Sequence, residues 1–117
     1  MFVDFHTHLD CYKDEELFPQ LAEFEGILVS ASMDLASYKR NLYIRDKATA
    51  LGYKVEIVPT FGVHPAKVVE VLSESADLER FDEFCNASTI IGEIGMDLCW
   101  YKDASVEQQE KVFRYFL

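Results

Sequence analysis

The chain has 117 residues, enough for one ordinary domain with a real core; half of it is hydrophobic, with nine Phe and six Tyr. Its formal net charge of −10 argues against broad, charge-driven binding to nucleic acid or anionic membrane, though a metal site that handles a phosphate stays open, because a bound cation reverses the local sign. No apolar run approaches the roughly 20 residues of a membrane span, no basic and apolar leader opens the chain, and the scattered Cys11, Cys85 and Cys99 imply reduced thiols in a cytoplasmic setting.

The first run, Phe2-Val3-Asp4-Phe5-His6-Thr7-His8-Leu9-Asp10, is short and begins with good strand formers, which predicts a buried strand. Strand side chains alternate, so His6 and His8 face the same way and can hold one divalent metal between them. The alternative is one capped core histidine and one exposed. A helix follows over Lys13 to Phe24, with Asp14, Glu15 and Glu16 at its positive end and Gly26 as its stop. Ile27 to Ser32 predicts a second buried strand. Asp34 can cap the next helix, from Leu35 to Leu51.

Val55 to Phe61 predicts the third strand, running into Gly62-Val63-His64-Pro65, where Pro65 keeps His64 extended and opposes a helix start. Ser75 to Asn86 reads as the third helix and Thr89 to Gly95 as a fourth strand. Ser105 can cap the last helix, with Gln108 as its capping-box partner. Strand and helix thus alternate about four times through one domain, 1–117. This is an α/β pattern that implies a parallel sheet with right-handed crossovers.

In such sheets chemistry gathers at the carboxyl ends of the strands. His6, His8, His64 and Glu93 all fall at or near such ends, on three separate strands. Glu93 lies between Gly92 and Ile94, and a carboxylate there needs either a metal or a Lys or Arg across the sheet. Gly92 and Gly95 allow close approach around it. Asp97 either steadies a ligand or water at the site or caps its loop. Asp10 can orient His8, and Asp4 can bond a ligand or its own strand. Trp100 and Tyr101 either line a pocket or pack beneath the loop; Cys11 and Cys99 have no ligand partners at metal-site spacing.

Asp4 to Asp10, Gly62-Val63-His64-Pro65 and Gly92-Glu93-Ile94-Gly95-Met96-Asp97, followed by Gln108-Gln109 and Val112-Phe113, resemble the TatD family of metal-dependent hydrolases over the whole chain. The His-x-His is shared with other amidohydrolases; the Gly-Glu-Ile-Gly-x-Asp element is the more specific. The resemblance implies a TIM-type (β/α)8 barrel and a centre of one or two ions (Zn, Mn or Mg). It also implies phosphodiester hydrolysis, often of DNA. By position, His6, His8 and Glu93 match metal ligands, with Glu93 shared and acting together with a metal-bound water. His64 matches a substrate-phosphate contact, and Asp97 and Asp10 match supporting positions. Ala66, Leu98 and Cys99 depart from the family's usual residues. A barrel takes roughly 250 residues, so the expectation is about its first half, with later ligands lacking. Such a half barrel has unpaired sheet edges that a second copy can cover. The other expectations are a related phosphatase or amidohydrolase on this scaffold, or a non-catalytic interaction module left by truncation.

Overall fold

A computed structural model describes residues 1–117. Three strands, β1 (Phe2–Thr7), β2 (Gly26–Ala31) and β3 (Val55–Thr60), form a parallel sheet in that spatial order. The register sets Asp4 against Leu28 and Leu28 against Ile57, with an irregularity in β1 between Asp4 and Thr7. Helices α1 (Asp14–Glu23) and α2 (Leu35–Ala50) provide the crossovers. Leu17, Leu21, Ile44 and Ala48 from these helices pack on Leu28, Val55 and Ile57. A second core centres on Phe61, which touches the rings of Tyr38, Phe81, Phe84 and Phe116.

The helix starts follow their local chemistry. Asp34 and Ser105 each form a complete capping box, with Ser37 and Gln108. The last helix, α5 (Val106–Tyr115), buries Gln109 and Val112.

Three expectations change. First, β1 is a strand but an open one: Phe2 and Phe5 are 77% and 75% exposed. Burial of a strand comes from its neighbours, and β1 is the sheet's edge with its outer side unpaired. Second, of the helix expected over 75–86 only the end is α-helical, as α4 (Asp82–Ala87), and a further helix, α3 (Val68–Glu74), precedes it. Pro65 does not block this start; it opens a 3-10 turn, Pro65–Lys67, that feeds α3. Between the helices, Ser75 and Asp77 bond nearby backbone N–H groups, and Arg80 donates to the carbonyls of Val71 and Ser75. Such local bonds compete with helix continuation.

Third, Thr89–Gly95 is no regular strand. Only Ile91 bridges in parallel to Phe61. Gly92 and Gly95 adopt φ of 155° and 159°, a region that side chains rarely enter. The segment leaves the ladder there, and the N–H of Glu93 donates instead to the carbonyl of Ser32, 3.1 Å away past the end of β2.

Candidate metal centre

At the end of β1 the imidazoles of His6 and His8 meet, Nε2 to Nε2, at 3.2 Å. Nδ1 of His8 lies 3.1 Å from the Ala31 carbonyl. A carbonyl only accepts, so Nδ1 carries the proton and Nε2 offers a lone pair. Glu93 Oε2 is 3.6 Å from that same Nε2. The ligand atoms of His6, His8 and Glu93 all lie within 4.8 Å of one another. Two imidazoles bound tetrahedrally at about 2.0–2.1 Å leave their nitrogens about 3.3 Å apart. The observed histidine spacing matches this, and the nitrogen–oxygen donor set suits a divalent cation.

His64 is built the other way round. It is extended, with φ −67° and ψ 147°, as a residue before proline should be. Its Nδ1 accepts from the Ala66 N–H at 3.0 Å, so the proton of the neutral ring sits on Nε2. That nitrogen is 3.7 Å from Glu93 Oε1, and the ring of Tyr101 stands edge-on 5.2 Å away. His8 therefore presents an electron pair to the site, and His64 presents a hydrogen-bond donor. Glu93 lies between them, and no Lys or Arg pairs with it.

Backbone packing fixes Glu93. Thr60 Oγ1 donates to the Gly92 carbonyl, Gly92 N–H donates to Phe61 at 2.9 Å, and Glu93 N–H donates to Ser32. The tight approach is at Gly62, where a Cβ would meet Glu93 N and O at 2.6 Å. At Gly92 the nearest atom to such a Cβ is 3.9 Å off, and at Gly95 there is none within 4 Å. The expected close approach therefore exists, but a different glycine makes it possible.

The expected supporting residues behave differently. Asp10 does not orient His8; the Ala31 carbonyl does. One Asp10 oxygen, Oδ1, is buried without a partner, and burial raises its pKa. Asp97 is a loop cap: Oδ1 accepts from the N–H groups of Trp100 and Cys99 at 2.9 and 2.8 Å, and these bonds lower its pKa. Asp4 accepts from the His6 N–H, within its own strand. Cys11 and Cys99 are free and exposed, outside the ligand set.

Two buried polar residues were not anticipated. Asn41 accepts from Ser30 and donates to Ser32, while Ser30 Oγ accepts from the Leu9 N–H. This ladder ties the backbone beside His8 to the strand end whose carbonyl holds Glu93. Gln109 bonds the N–H and carbonyl of Asp97 and the carbonyl of Tyr101. Both residues are fully buried. Their sequence signal is a polar residue in phase with an apolar helix stripe: Asn41 with Tyr38, Ile44 and Ala48, and Gln109 with Val112.

A sequence model of the family described as TatD related DNase matches residues 3–117. The chain belongs to the TatD-related DNase family. No curated protein matches the sequence. A crystal structure of a hydrolase TatD family protein from Entamoeba histolytica is similar in fold, with a TM-score of 0.71 at 23% identity. The likeness covers 98% of this chain and 44% of that one, so this TatD-family chain spans less than half the length of its structural relative.

Proposed function

We propose that this chain carries the cation-binding rim of a metal-dependent hydrolase acting on phosphodiesters, DNA among them. The supporting observation is the convergence of His6, His8 and Glu93 within 4.8 Å, with the protonated nitrogen of His64 facing the same carboxylate. His6 and His8 would hold a divalent ion through their Nε2 lone pairs, with Glu93 completing the set. When bound, such an ion supplies positive charge for a developing oxyanion and lowers the pKa of water. Glu93 sits where a proton leaving a nucleophile can be received. His64 donates from Nε2 to a non-bridging phosphate oxygen, and its bond from Ala66 keeps it in that tautomer.

The test is hydrolysis of bis(p-nitrophenyl) phosphate, p-nitrophenyl phosphate and an anilide, each with Mn²⁺, Zn²⁺ or EDTA. Metal-dependent turnover of the diester, absent in His6→Ala, is the expected result. Turnover of only the monoester or the amide would reassign the chemistry to a phosphatase or an amidohydrolase.

A second reading, that two copies pair along β1, is favoured by the exposure of Phe2 and Phe5 on an edge strand. Native mass spectrometry with and without metal tests it, and a monomer under both conditions counts against it.

A further inference from the structure

Trp100 is the sole tryptophan of the chain, and it is 85% exposed. It does not pack beneath its loop. Its setting is nevertheless fixed. Its own N–H is bonded to Asp97, the carbonyl of the next residue is bonded to buried Gln109, and the ring of that residue, Tyr101, abuts His64. A large indole is thus carried into solvent on a clamped loop whose following residue touches His64.

From this we infer that Trp100 is a stacking platform for a nucleobase of a single-stranded substrate. The inference rests on the phosphodiesterase reading and adds to it the part of the substrate held away from the cleaved bond. A chain of net charge −10 gains no long-range attraction for a polyanion. Base–indole stacking needs no protein charge and tolerates any sequence. A substrate gripped by its bases is bound through a contact that salt does not screen.

Because the protein has one tryptophan, its fluorescence reports this residue alone. The experiment is a titration in EDTA, without turnover, using a short oligodeoxythymidylate and an abasic oligomer of equal length. The base-bearing strand should quench and shift the emission, and the abasic strand should not. Trp100→Ala should bind the oligodeoxythymidylate about 5- to 150-fold more weakly, read by anisotropy of a labelled strand, while Trp100→Phe should recover most of the affinity. Equal responses to both strands, or unchanged affinity in Trp100→Ala, would overturn the proposal. So would emission already buried by self-association in the free protein. The exposed position spares the core, so misfolding of the variant is not expected. Hydrolysis of bis(p-nitrophenyl) phosphate by the unaltered protein separates the two readings. Diester turnover without quenching removes the platform alone, and quenching without turnover of any diester removes the hydrolase reading alone.

Discussion

β1 and β3 end at the same rim and each delivers histidine there, yet their surroundings are opposite. After β3, Phe61 and Val63 are 0% and 1% exposed, and the chain enters His64 through Gly62, pressed against the backbone of Glu93. β1, the source of His6 and His8, is exposed along nearly its whole length. The donor of the site is thus seated in close-packed protein, and two of the three cation ligands are carried on an edge strand. A close-packed wall sets geometry before any ligand arrives, whereas an edge strand draws on its ligand for part of its order.

The largest expected effect tests the packed side. Gly62→Ala places a methyl group 2.6 Å from Glu93 backbone atoms. It should destabilise the fold by about 1–3 kcal/mol and abolish cation binding, read by urea denaturation and by calorimetric titration. An unchanged midpoint and affinity would mean that the wall is not packed this way in solution. Next, His6→Ala should lose cation binding by at least about tenfold, whereas His64→Ala should retain it and lose diester hydrolysis. Equal loss of affinity in both variants would remove the distinction drawn from the two tautomers.

Asn41→Ala removes the link between the two sides and strands the hydroxyls of Ser30 and Ser32. A stability loss of about 1–3 kcal/mol is expected from unsatisfied buried groups, measurable by thermal unfolding. Hydrogen exchange sharpens the contrast directly. Adding Zn²⁺ or Mn²⁺ should slow amide exchange in β1 and leave β3 unchanged; protection gained equally in both strands would argue against an edge that depends on its ligand. The smallest effect belongs to Phe5→Ser, which should change stability by no more than about 0.5 kcal/mol while reducing any self-association seen by native mass spectrometry.

What the sequence made legible was local. The capping boxes at Asp34 and Ser105 need only residues three apart, and both formed. His6, His8 and Glu93 were brought out by residue type and by their places at strand ends, and the structure gathers them. What stayed hidden depended on distant partners. The exposure of β1 is a property of what does not lie beside it. The break at Gly92 reflects backbone angles that a run of Ile and Gly does not announce. Gly62 stands in the sequence only as the start of the run to His64, and only the fold reveals the chain crossing behind it. Val68–Glu74 is hidden because a proline followed by β-branched valines does not advertise a helix, although Pro65 opens the turn that feeds it.

The contact at Gly62 has a consequence for redesign. It fixes residue 93 through peptide atoms alone, leaving its side chain outside the interlock. The location is therefore a socket whose occupant can be exchanged. Replacing the carboxylate by an imidazole or a thiol changes ion preference while the same main-chain clasp keeps its address, so chemical variation at the rim is decoupled from the cost of refolding it.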